Sequence, residues 1–142
     1  MERASAFLHE EIIDIATDRI IFENKKRVAL IPIPMKEKDE RSRGWNQSLE
    51  LCRAIENYNK IHGNSEIFVS DVLRKMKQTK HQRNLTRNER LANIKNSMKR
   101  VGNLPLDSLP IIIDDVTTTS ATIFEARRAL GEKDALAITL AH

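Results

Sequence analysis

The sequence predicts an α/β domain, a mostly parallel and Rossmann-like sheet flanked by helices. Three observations carry that expectation. Short apolar runs (Val28–Ile31, Ile67 through Leu73, Leu109–Ile113, Ala135–Leu140) alternate with stretches of helical period. Several of the runs are apolar at successive positions rather than at every second one, as in strands covered on both faces. The 142 residues match the roughly 100–200 of a single domain, taken here as residues 1–142.

Each element has its own justification. Residues 5–23 carry Leu8, Ile12, Ile15, Ala16 and Ile20 at helical spacing, so residues 1–27 are read as an N-terminal helical segment. Val28–Ile31 is a buried strand stopped by Pro32 and Pro34, followed by a charged stretch, Lys36–Arg43, that Gly44 ends. Leu51, Ile55 and Tyr58, with Cys52 beside them, form a second helical stripe to about Ile61, and His62-Gly63-Asn64 supplies its stop. Ile67 through Leu73 is the second strand. Residues 74–100 show no clean period and are read as a basic flexible loop within the domain, with some helix around Arg87–Lys95. Leu109–Ile113 is the third strand and residues 120–131 the third helix, on Ile123, Phe124, Ala126, Ala129 and Leu130, closed by Gly131. Ala135–Leu140 is the last strand.

Composition excludes several classes. Hydrophobic residues at 40% and charged ones at 31% suit a soluble globular chain. Four Phe, one Tyr and one Trp leave the core mostly aliphatic, and they are too few for a platform that stacks single-stranded nucleic acid. The longest apolar run, Val28–Met35, includes two prolines, whereas a membrane-spanning helix needs about 20 residues. No membrane partner is expected. Glu2, Glu10 and Glu11 without a long apolar run argue against a secretory signal. The single cysteine, Cys52, excludes internal disulfides and multi-cysteine zinc sites and reads as core. A reducing, cytoplasmic setting is the expectation.

Charge is unevenly spread. Residues 74–100 hold ten basic residues against one acid, Glu89, a net +9 that leaves −5 elsewhere in a chain of total +4. Such a concentration implies an anionic partner such as a polyphosphate or nucleic acid. A solvated basic face, or the interface of a homo-oligomer such as a homodimer, is the plainer alternative.

The strongest chemical signal is Ile111-Ile112-Ile113-Asp114-Asp115-Val116-Thr117-Thr118-Thr119-Ser120-Ala121-Thr122. In a parallel sheet, ligands bind beyond the carboxyl ends of the strands. Here two carboxylates stand at such an end, and a hydroxyl-rich turn leads into a helix. Unpaired N–H groups at a helix start favour phosphate, with hydroxyls at Thr118, Thr119, Ser120 and Thr122 as further donors. Asp114 and Asp115 would accept hydrogen bonds from ribose hydroxyls. An Asp turn followed by a Ser/Thr helix cap is the competing structural reading.

Read as Asp114-Asp115-Val116-Thr117-Thr118-Thr119-Ser120-Ala121-Thr122, this run resembles the ribose-5-phosphate signature of type I phosphoribosyltransferases. Ile31-Pro32-Ile33-Pro34, Arg43-Gly44-Trp45-Asn46-Gln47, and the series Arg74, Thr79, Gln82, Leu85, Arg90, Asn93 resemble motifs of the ComF (competence protein F)-like subgroup. The resemblance spans about residues 28–142. It implies a type I phosphoribosyltransferase-like fold. The implied activity is magnesium-dependent transfer of a phosphoribosyl group from phosphoribosyl pyrophosphate (PRPP) to a nitrogen nucleophile such as a nucleobase, with Mg²⁺ held mainly by the ligand. The alternative is a catalytically degenerate module that binds PRPP, a nucleotide or DNA in the course of DNA uptake. The resemblance assigns Asp114 and Asp115 the catalytic role, residues Asp114 to Thr122 the ribose 5-phosphate, and Met35, Lys36, Arg43, Arg74 and Arg90 the diphosphate. It also aligns the basic segment with a hood that closes over the site.

Several roles stay open at this level. Lys36 fits a solvated lysine as well as a phosphate ligand, Asn46 a helix cap as well as a cleft residue, and Trp45 reads as packing more readily than as base stacking. The departure from the family pattern is Ser120, where the signature has glycine. A left-handed backbone there would strain the serine by roughly 1–3 kcal/mol; otherwise its hydroxyl is a phosphate donor.

Overall fold

The computed structural model describes residues 2–35, 41–42, 44–76, 86–115 and 120–140, with positions 90, 91 and 93 described by backbone alone. In chain order the elements are α1 (Glu2–Phe22), β1 (Arg27–Pro32), α2 (Gln47–His62), β2 (Ile67–Val69), β3 (Leu73–Lys75), α3 (Arg87–Ile94), β4 (Met98–Arg100), β5 (Ser108–Asp114), α4 (Ser120–Leu130) and β6 (Leu136–Thr139). Four strands form a wholly parallel sheet in the order β2-β1-β5-β6, and β3 and β4 form a separate antiparallel ribbon.

The central strands are buried because both sheet faces are covered. Val28, Ala29, Leu30 and Ile31 are each fully buried, as are Ile111, Ile112 and Ile113. The two-residue alternation of a strand divides them. Val28, Leu30, Ile111 and Ile113 pack with Leu8, Ile12, Leu51 and Ile55 under α1 and α2. Ala29, Ile31 and Ile112 pack with Leu73, Met98, Ala126 and Leu130 under α4 and the ribbon. The uninterrupted apolar run therefore feeds two cores, one on each face.

The prolines fit this ladder. Pro110 lies in β5 opposite Ala29 of β1, but β6 pairs with β5 only from Ile111 onward. On that side the strand is locally an edge, where a missing N–H is tolerated. Past Pro32, the Ile33 N–H still donates to the Ile113 carbonyl at 3.0 Å.

Two expectations change. The second strand stops at Val69 and does not run through to Leu73. Ser70 N–H donates to Leu30 O, Val72 N–H turns back to Ser70 O, and Leu73 starts the ribbon instead. Within 74–100, the described residues include two strands as well as the helix, now bounded as Arg87–Ile94. Buried Leu73 and Met98 anchor the ribbon. Helix α3 opens with a reciprocal capping box, Thr86 N–H to Glu89 Oε2 at 2.9 Å and Glu89 N–H to Thr86 Oγ1 at 3.3 Å. The Thr-x-x-Glu spacing is the signal in the sequence that marks this start.

Candidate functional site

Connectivity singles out one place in the sheet. From β1 the chain crosses through α2 to β2 on one side, and from β5 through α4 to β6 on the other. The two helices lie on opposite faces. The gap beyond the carboxyl ends of neighbouring β1 and β5 is thus a topological switch point, where open parallel sheets bind ligands. One lip of this crevice is Ile33-Pro34-Met35, and the other is Asp114-Asp115.

On the second lip, Asp114 is the last residue of β5 and almost fully buried. Its backbone carbonyl accepts from Leu140 N–H at 3.0 Å. Asp115 follows, half-buried, and its Oδ1 accepts from Ser48 Oγ at 3.1 Å while its own N–H donates to the same oxygen at 3.3 Å. Val116, Thr117, Thr118 and Thr119 lie outside the described residues. Ser120, Ala121 and Thr122 form the first turn of α4, which begins after the four residues 116–119 that follow the two carboxylates in sequence. Among the described non-glycine residues, only Asn24 (φ 54°) and Asn96 (φ 60°) have a left-handed backbone. Ser120 is not among them, so no left-handed strain arises there.

On the first lip, Met35 is half-buried, and Lys36 and Arg43 lie outside the described residues. Gly44 has φ +77°, and a Cβ there would meet nothing within 4 Å. The glycine is needed for backbone conformation rather than for space. The turn it permits delivers Asn46 to the N-cap of α2, where Oδ1 accepts from Ser48 N–H at 3.0 Å and Leu49 N–H at 3.3 Å. The Asn46 Nδ2 group donates to Ile33 O at 3.2 Å. Asn46 is thus both helix cap and cleft residue. Trp45 is 47% exposed and stands outside the buried core.

Beside this lip is a cleft of about 260 Å³ lined by Pro34, Met35, Asn46, Asp71, Arg74 and Lys75, among others. It unites two diphosphate candidates, Met35 and Arg74. The Arg74 guanidinium, however, is engaged locally, donating to Asp71 Oδ1 at 3.0 Å and to the carbonyls of Asp71 and Leu73. Arg90 belongs to α3, with its backbone alone described; Thr79, Gln82 and Leu85 lie outside the described residues. Among the described residues no three His, Cys, Asp or Glu side chains cluster as a metal cage, and no helix is long and apolar enough to cross a membrane.

Two buried ionisable groups lie away from the crevice. Glu125 of α4 accepts from Met98 N–H at 3.1 Å and from Arg128 at 2.8 and 2.9 Å, clamping the ribbon to α4. Burial pushes its carboxyl up, but the Arg128 hydrogen bonds and the backbone N–H groups of Met98 and Asn96 outweigh that, so it lies below the ordinary glutamate range. Cys52 is fully buried, and burial, helped by the charges of Asp71 and Glu56, pushes its thiol far up. It is core, as expected.

The residue missed in the sequence is Ser48. Nothing local distinguishes it, because its partner is 67 positions away.

No family model matches the chain, and no curated protein matches it. Solved structures do. The hypoxanthine phosphoribosyl transferase of Trypanosoma cruzi superimposes with a TM-score of 0.50 at 14% identity, over 99% of this chain and 65% of that one. A second structure, an asparagine mutant at an invariant aspartic acid in HPRTs, gives 0.48 at 14% identity over 99% and 66%. The chain thus spans about two-thirds of the length of these neighbours. What it shares with the first is architecture, and on that likeness and its own sheet order the chain has a phosphoribosyltransferase-like α/β fold.

Proposed function

We propose that this chain binds PRPP at the β1/β5 crevice and transfers its phosphoribosyl group to a nitrogen nucleophile, releasing diphosphate. The observation that carries the reading is the placement of Asp114 and Asp115 at the switch point, at the carboxyl end of β5 and ahead of α4 in the chain. The reaction breaks the anomeric C–O bond and forms a C–N bond at the same carbon, with positive charge developing on the ring. Asp114 and Asp115 accept hydrogen bonds from the ribose hydroxyls and favour that charge. Residues 116–122 and the N–H groups opening α4 hold the 5-phosphate. The protein's contribution is chiefly positional.

Met35, Lys36, Arg43, Arg74 and Arg90 are assigned to the diphosphate. Arg74 meets it only by exchanging its bonds to Asp71. Mg²⁺ would be held mainly by the ligand, through substrate phosphates and its own waters. When bound, it supplies charge neutralisation at the departing diphosphate. The sequence motifs of residues 31–34 and 43–47 support a ComF-like member. The acceptor class is a nucleobase or other nitrogen compound, the setting is cytoplasmic, and a homodimer is one form that light scattering would detect.

Binding of a nucleic-acid backbone by residues 74–100 is the second reading. Arg100 of this segment donates to the Leu130 carbonyl, and Arg74, paired with Asp71, would have to exchange that bond in either reading. Salt titration separates the two, since many phosphate contacts give a steep negative log–log slope. Calorimetric titration with PRPP and Mg²⁺ tests the main proposal, with submillimolar binding as the expected result.

A further inference from the structure

Both lips of the crevice are fastened to the start of α2. Asn46 Nδ2 donates to Ile33 O at 3.2 Å on the β1 side. Ser48 Oγ donates to Asp115 Oδ1 at 3.1 Å on the β5 side, and Asp115 N–H returns a bond to that oxygen at 3.3 Å. Asn46 is 8% and Ser48 3% exposed, so water competes little for these bonds. Helix capping accounts for Asn46 Oδ1. It does not account for the Ser48 hydroxyl, whose one proton goes to a carboxylate at the far end of a different strand. The reciprocal pair fixes both the backbone leaving β5 and the plane of the Asp115 carboxyl.

We propose that Ser48 is a positioning residue that holds the Asp115 carboxylate in register for a hydroxyl of the bound sugar, while Asn46 ties the same helix start to β1. The proposal rests on the ribose reading above. An ionised carboxylate offers about four acceptor sites on its two oxygens. Ser48 takes one of them, and doing so orients the rest. Without that bond the side chain rotates about χ1 and χ2, and a ligand must order it on binding.

Ribose 5-phosphate and 2-deoxyribose 5-phosphate differ by one hydroxyl, so titrating the full chain with both isolates the sugar contact from the phosphate contact. Wild type is expected to prefer ribose 5-phosphate by about tenfold, as for one hydrogen bond to a charged acceptor. Ser48→Ala reduces that preference to within about twofold, mainly by weakening the ribose ligand. Ser48→Cys, nearly the same size but a weak donor, gives the same loss should the alanine variant fold poorly. Equal weakening of both ligands makes Ser48 a merely structural residue and overturns the proposal, as does an unchanged preference. If wild type binds neither ligand, the ribose reading itself falls, and the positioning role falls with it.

Discussion

The parallel sheet and the ribbon segment that follows β2 are built by different means. In the sheet, β1 and β5 pair over six residues across a separation of some eighty positions, from Arg27↔Ser108 to Pro32↔Ile113, and apolar side chains fill both faces. The ribbon pairs over only three residues, Leu73↔Arg100 to Lys75↔Met98. It is held by two buried side chains and a polar clamp, with Glu125 receiving Met98 N–H and Arg128 donating to Met98 O at 2.7 Å. The difference teaches that burial fixes the crevice frame, while directed hydrogen bonds fix what stands around it. Such bonds are lost one at a time, whereas core packing fails cooperatively.

The largest effect should come from the frame. Leu30→Ala deletes a fully buried side chain between Val69 and Ile111 in register and is expected to lower stability by about 2–5 kcal/mol. Urea unfolding measures it. A loss under about 1 kcal/mol would mean the core relaxes far more than its packing implies.

Next is the clamp. Glu125→Ala leaves the buried Met98 N–H without its acceptor and is expected to cost roughly 1–3 kcal/mol. Hydrogen exchange should speed up at Met98 while Ile111–Ile113 stay protected. The clamp also has a pH signature. The folded carboxyl lies below the ordinary range, so its stabilisation is complete above the unfolded value of about 4.3. It is lost as pH falls through the lower folded value. Wild type should therefore lose stability in acid more steeply than Glu125→Gln.

How far the sequence foretold this contrast follows from the same physics. The frame was legible because an apolar run long enough to serve two faces needs no partner to be recognised. Val28–Ile31 and Leu109–Ile113 lie within one residue of the observed β1 and β5 ends. The carboxylates were legible because Asp114-Asp115 abut such a run. The ribbon was not. Three-residue strands show no period: Leu73 follows Val72 at the end of the run read as the second strand, and Met98 looks like an isolated apolar residue in a basic stretch. Nor was Ser48, since hydrogen bonds between residues 67 positions apart leave no local pattern.

Smaller effects sharpen the comparison at the crevice edge. Gly44→Ala places a Cβ on a backbone with φ +77° and is expected to cost about 1–2 kcal/mol, read as a lower thermal midpoint. Ser120→Gly removes a hydroxyl from an unstrained helix start. It should weaken ribose 5-phosphate binding by about 0.5–3 kcal/mol, whereas tighter binding would mean that the serine crowds the phosphate.

The central claim is that the paired carboxylates at the switch point bind the ribose of PRPP. Calorimetric titration with PRPP and Mg²⁺, run on wild type and on the Asp114→Asn/Asp115→Asn double variant, tests it most directly. The expected result is submillimolar binding by wild type and none by the double variant, with both proteins folded by circular dichroism. Equal affinity in the two, or no binding by wild type, would contradict it.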